Sequence, residues 1–257
     1  MAPLLKHFHQ YFGEFAKQQD FVRYKHGYMR IVNDVIHGFN FRSYHGGKSG
    51  TIEFGVWPLS RINTEYVCGG NFGLYEILDL VPDFVCVDFW NATEKGMEEL
   101  LELFTQYLLP YFNQSTDAKS AYKIERAAIR RDSAFLLLPI VQLQELEEIA
   151  GGIIEDVSFD DANTARAQFC LQFGDKDRTY CHEKLYISYI ELRFIRRLPR
   201  MVFRSDEEKE RKKEEFFQQQ KEDKKRLEWI QNTPIEQIQA TLLEEQKKNM
   251  ELLKWKG

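Results

Sequence analysis

The chain has 257 residues, enough to bury a sizeable core in one large or two small domains. With 43% hydrophobic and 29% charged residues the composition is that of a globular protein, and 20 Phe and 12 Tyr supply core bulk without disulfides. A formal net charge of −5 excludes a protein-wide attraction to nucleic acid or anionic lipid.

From Leu4 to Ala16, apolar residues recur at steps of three and four (Leu4, Leu5, Phe8, Tyr11, Phe12, Phe15, Ala16). This is one apolar face of a helix, with Pro3 in its first turn. Its polar side is mixed rather than Lys/Arg-rich, which favours core packing over a membrane surface. From Phe21 to Val56 the pattern is that of strands. Tyr28–Val32 and Val35–Phe41 are rich in β-branched and aromatic residues, and Asn33-Asp34 between them reads as a hairpin turn. Thr51–Val56 alternates, with Ile52, Phe54 and Val56 on one face. Phe84–Phe89 reads as a further strand. A helix follows, capped by Asn91 or Thr93, buried through Met97, Leu100, Leu101, Phe104, Leu108 and Leu109, and stopped by Pro110.

The middle third reads as mostly helical. One helix is marked by Ala121, Ile124 and Ala128, and a second by Leu143, Leu146 and Ile149 before Gly151-Gly152. A third is capped by Ser158, carries Ala162, Ala165, Phe169 and Phe173, and closes at Gly174. Residues 178–197 fit a helix with Cys181, Leu185, Ser188, Leu192 and Ile195 on one side, although Leu185–Ile190 also fits a strand. No second copy at a fixed period is present, which argues against a solenoid. A capping box at Ser205-Asp206-Glu207-Glu208 opens a charged helix, and Thr233-Pro234-Ile235-Glu236 opens another. Between Arg204 and Glu228 nine Lys/Arg face nine Asp/Glu, so this stretch is charge-balanced rather than a basic arm. Ile235, Ile238, Leu242, Met250 and Leu253 give the last helix a partial apolar seam.

These elements predict an α+β fold. An antiparallel sheet of about four or five strands is flanked by helices and followed by a mostly helical C-terminal half. The expected organisation is an α+β domain over 1–114, a mostly helical region over 115–203 packed on it, and a charged helical extension over 204–257 folding as a hairpin. The cysteines (Cys68, Cys86, Cys170, Cys181) form neither a C-x-x-C pair nor a zinc spacing and read as intracellular thiols. The first 19 residues lack the basic-then-apolar order of a signal peptide, and no apolar run reaches membrane length, so a cytoplasmic protein is expected.

Candidate chemistry is sparse. Gly47-Lys48-Ser49 resembles the end of a phosphate loop, but Arg42 stands where the motif needs glycine and a strand follows instead of a helix. Cys181-His182 are adjacent, and neighbours on a helix point about 100° apart, so they do not face each other as a nucleophile and base. His26, His37 and His45 lie on neighbouring strands or loops. Hairpin histidines usually face solvent or take one hydrogen bond, so neither a metal nor a cofactor is expected. Asp83 and Asp88 flank a strand without forming an acid–base pair.

The sharpest local feature is Arg193, Arg196, Arg197, Arg200 and Arg204, five arginines within twelve residues with no acid among them. Guanidinium groups suit bidentate contact with carboxylate or phosphate, and Phe194 and Phe203 stand ready to stack on bases. Against that, cations belong at a helix C-terminus, and the acidic first turn after Ser205 offers them neutralising partners.

The first hundred-odd residues resemble an uncharacterised bacterial family, the domain of unknown function numbered four-three-zero-four. The resemblance runs through the opening helix (Leu4 to Ala16), Asp20-Phe21-Val22 where the family has a Gly-Phe pair, and the strands Tyr28-Met29-Arg30, Phe39 to Tyr44 and Thr51 to Trp57. Asp20 in place of glycine is its departure. It implies a compact α+β domain without an assigned reaction and, because such families are often encoded near toxin systems, an immunity-type binding role.

The expected function is therefore a non-enzymatic protein-interaction module. Its expected partner is another protein, with self-association through 205–255 as a variant. Nucleic-acid or phosphate binding through Arg193–Arg204 is the first alternative, and an enzyme assembled from separated His, Asp and Cys residues is the second. No membrane partner is expected.

Overall fold

The computed structural model describes residues 3–44, 49–60, 72–73, 94–128, 148 and 164–254. The strand at 84–89 with Asp83 and Asp88, the helix at 143–149 apart from Glu148, the Ser158 cap, His45, Gly47-Lys48, Cys68 and Cys86 lie outside the described residues. The chain divides into two compact units, one of residues 1–130 with 242–257, the other of residues 131–241.

In the first unit α1 (Pro3–Gln18) precedes five antiparallel strands in sequential order. They are β1 (Val22–Tyr24), β2 (Gly27–Val32), β3 (Val35–Tyr44), β4 (Ser49–Pro58) and the short β5 (Phe72–Gly73). Helix α1 ends because Asp20 turns left-handed at φ 61°, its N–H bonded to the Lys17 carbonyl and that of Phe21 to the Ala16 carbonyl. This two-bond closure is normally built on glycine. Two-residue loops join the first three strands, Lys25-His26 and the expected Asn33-Asp34, each with its first residue left-handed at φ 51°.

The cross-strand register puts Tyr28, Phe39 and Phe54 in one row and His37 and Val56 in another, on the face covered by helices. Phe8 and Phe12 of α1 meet Phe39 and Phe104 there; the Phe39–Phe104 centroids are 4.5 Å apart. This is where the aromatic-rich composition is used: packed rings bury large areas and gain from tilted and edge-on contacts. The opposite face packs Met29, Ile36 and Leu59 against Leu253, with Met250, Tyr24, Ile31 and Trp57 around them. Asn249 locks this arrangement by donating to the Leu59 carbonyl at 2.8 Å.

The helix expected to stop at Pro110 does not. After α2 (Glu94–Leu103) comes a wide π turn at Phe104–Leu108, and α3 (Leu109–Gln114) continues with Pro110 in its first turn. A proline there forfeits no hydrogen bond that a helix start would use, and the π turn takes up the irregularity. Helix α4 (Ala118–Ala128) follows. Its start is bound from within by Asp117, which accepts the Ser120 N–H at 2.7 Å, and from the β2–β3 loop by Asp34, which accepts the Ala118 N–H at 2.9 Å. The Ser120 N–H holds the Asp117 carboxyl below its usual range.

The described part of the second unit is helical. Helix α5 (Thr164–Gln172) closes at Gly174 with φ 88°, and α6 (Lys176–Arg197) starts from Asp175, whose side chain accepts the Arg178 N–H. Leu185–Ile190, which fitted either element by sequence, is helix. A 3-10 turn (Leu198–Arg200), α7 (Asp206–Asn232) and α8 (Ile235–Leu252) complete the chain, and the division between units falls inside α8. No described helix is long and apolar enough to cross a membrane. The α+β fold with its antiparallel sheet and mostly helical C-terminal half is as expected.

Candidate functional site

Helices α6 and α7 run antiparallel, as their contacts show in sequence. Lys176 donates to the Gln231 and Thr233 carbonyls at 2.8 Å, Arg226 meets Glu183, Lys224 lies 3.7 Å from Glu191, and Phe194 stacks on Phe216. Lys176 thereby places its charge on the C-terminal carbonyls of α7, where a cation is favoured. Midway, the Arg226 Nε donates to the Glu183 carboxylate at 3.0 Å and its second nitrogen to the Gln168 side-chain oxygen at 2.8 Å. Glu183 and Gln168 are buried, so this fork neutralises an acid that would otherwise be costly inside the unit.

Toward the C-terminal end of α6 the character changes. The stretch from Thr179 to Tyr189 is largely buried, whereas Arg197, Arg200 and Arg204 are exposed and Arg193 and Arg196 half-buried. At about 100° per residue, Arg193, Arg196, Arg197 and Arg200 fall within an arc of about 100°, forming one stripe along the helix and its 3-10 continuation. Arg193 lies over the Tyr189 ring at 5.8 Å and donates to its hydroxyl at 3.2 Å. Its Nε, and one terminal nitrogen of Arg196, are buried without a hydrogen-bond acceptor.

The expected neutralisation by the acidic turn after Ser205 is not made. The Glu208 carboxylate accepts the backbone N–H of Arg204 at 2.7 Å, while the Glu208 N–H is bound by Ser205. That acid is used as a cap. Among the described residues none of the five guanidinium groups forms an ion pair with a carboxylate.

Apolar side chains stand beside the arginines. Val202, in the extended link between Arg200 and Arg204, is 98% exposed, and Met201 beside it is exposed too. On the helices flanking the link, Ile195 is 54% and Phe217 53% exposed. Phe194, which the sequence offered for base stacking, is engaged within the chain. Its ring lies on that of Phe216 at 3.7 Å and an interplanar angle of 4°, so its face is occupied within the chain.

Among the described residues the other candidate chemistry does not assemble. Cys181 and His182 are both buried, and burial, with Asp177 nearby, pushes the Cys181 thiol up to about 11, which disfavours the thiolate a nucleophile needs. His26 is exposed, as expected of a hairpin histidine, whereas His37 is fully buried and bonded through both ring nitrogens, contrary to the expectation of solvent exposure or one hydrogen bond. Burial wins for His37 because it shares the helix-covered face with Phe39 and Phe41. Among the described residues no group of three or more His, Cys, Asp or Glu could hold a metal ion. Sequence reasoning found the arginines but missed Met201, Val202 and Phe217 as surface. The available signal was two apolar residues in a link between two charged helix ends.

No family model, no curated protein and no solved structure matches the chain.

Proposed function

We propose that the chain is a non-enzymatic protein-binding module whose contact surface is the tip of the α6–α7 hairpin. The observation that carries this reading is Val202, fully exposed between Arg200 and Arg204, with Met201 exposed beside it. An extended link with Met201 exposed in it, framed by arginines and flanked by the exposed Phe217, has the composition of a protein-binding patch, in which methionine, aromatic and arginine side chains are enriched. Nucleic-acid surfaces are more polar, and of the two rings that could stack on bases, Phe194 already lies against Phe216. Binding without chemistry is also what an immunity-type role requires.

The test is site-specific photo-cross-linking in cells that naturally make the chain. A photoreactive residue at Val202 is expected to give a discrete protein adduct, which the double substitution Arg197→Glu/Arg200→Glu removes. The same probe at Glu244, exposed on α8, is expected to give none. Equal labelling at both positions, or an adduct at Val202 that is RNA, would overturn the reading.

A further inference from the structure

We infer that the partner segment is an α-helix with acidic residues at three- and four-residue steps, docking along the arginine stripe of α6. This rests on the reading of the hairpin tip as a protein-binding surface and specifies what lies on the other side.

Three observations carry it. The first is charge complementarity. The stripe concentrates four cations, with Arg204 just beyond it, on a chain of net charge −5, and no described carboxylate pairs with them. Desolvated guanidinium nitrogens are costly when nothing accepts from them. Arg193 and Arg196 each hold one such nitrogen, buried and without an acceptor. Incoming carboxylates would meet the exposed nitrogens beside them. The second is spacing. Arg193, Arg196 or Arg197, and Arg200 recur at three and four residues, which is about 5 Å along the axis per step. An acidic helix lying alongside repeats its carboxylates at the same interval, as charged flanking positions do between paired helices. An extended acidic strand presents one face every 6.5 to 7 Å or so and falls out of step over the length of the stripe. The third is the apolar end of the surface. Met201 and Val202 follow Arg200 directly, so a docked helix needs an apolar side chain beyond its last acid. A phosphate backbone offers none.

The experiment uses the full chain and three labelled probes of equal charge. One is a 20-residue helical peptide with glutamate at i, i+3, i+4 and i+7 and leucine beyond the last acid. The second has the same composition in scrambled order, and the third is a single-stranded RNA. Fluorescence anisotropy is read at low and at moderate salt. The patterned peptide is expected to bind best, with affinity falling as salt rises. Arg197→Gln/Arg200→Gln is expected to weaken it by about tenfold, since each ion pair is worth a few-fold. Lys212→Gln/Lys225→Gln removes the same charge from α7, where both lysines pair within the helix, and is expected to leave binding unchanged.

Equal binding of patterned and scrambled peptides, insensitivity to the arginine substitutions, or tighter binding of RNA would each overturn the inference. If the peptides fail while the Val202 adduct is still lost with Arg197→Glu/Arg200→Glu, the protein-binding surface stands and the acidic-helix partner is wrong.

Discussion

His37 uses both ring nitrogens with none of its surface exposed. Its Nδ1 accepts from the Arg30 Nε at 3.1 Å, its Nε2 donates to the Ser115 carbonyl at 2.7 Å, and its ring stacks on Phe112. Arg30 in turn donates to the Gln19 carbonyl and the Asn113 side chain, so the pair ties α1, the sheet and the end of α3 together. Burial, with Arg30 beside it, pushes the ring down to about 3, although the Ser115 carbonyl pulls the other way. In the unfolded chain the same ring titrates near its ordinary value of about 6.5. The folded state therefore resists a proton that the unfolded state takes up, and stability is lost as pH falls from about 6.5 toward 3, by at most about 1.4 kcal/mol per unit. Urea midpoints measured from pH 7.5 to 4 are expected to decline over this window, and His37→Gln to start lower and decline less. An unchanged slope in the variant would place the acid sensitivity elsewhere. The alternation of His37 with Phe39 and Phe41 carried the signal for the buried side, which the expectation for hairpin histidines passed over. Its partners were not legible, because Ser115 lies 78 residues away. Asp20 was not legible either. Its backbone turns left-handed at φ 61°, a conformation that suits glycine and that nothing in the residue type announced.

Helix α7 illustrates why element-scale packing escaped the apolar pattern. Its less exposed positions include Lys209, Lys213, Phe216, Gln220, Asp223, Leu227 and Ile230, a strict alternation of four- and three-residue steps. Only three of these seven are apolar, so a search for apolar periodicity finds a weak seam where the steps themselves are regular. Boundaries and caps were legible, as at Ser205, because they rest on local chemistry. The polar seam was not, because Arg226, which donates to the buried Glu183 carboxylate, lies 43 residues on. That dependence predicts an asymmetry. Arg226→Met strands Glu183 without its cation and is expected to cost about 2–4 kcal/mol, whereas Arg226→Met combined with Glu183→Leu is expected to recover most of it. Thermal unfolding of the four species reads the coupling directly. Additive losses would mean that Glu183 is satisfied by other groups.

For the whole molecule, sequential hairpins made the sheet legible and helical periods made the C-terminal half legible. The allotment of segments to units was harder to read, since periodicity shows that a segment buries a face but not against what. The chain passes from the first unit into the second and back into the first through α8. The charged stretch after Arg204 looks dispensable by composition, yet it ends in Asn249, Met250 and Leu253, which close one face of the sheet. Those few residues work as a stopper. Cutting the chain after Arg204 leaves Met29, Ile36 and Leu59 uncorked, so the shortened protein is expected to self-associate on size exclusion and to melt earlier than the full chain. A monomeric fragment of undiminished stability would refute this. Loss of a partner after such a cut therefore says nothing about the hairpin tip, and only point substitutions at Arg197, Arg200 and Val202 separate binding from a sheet left open at one face.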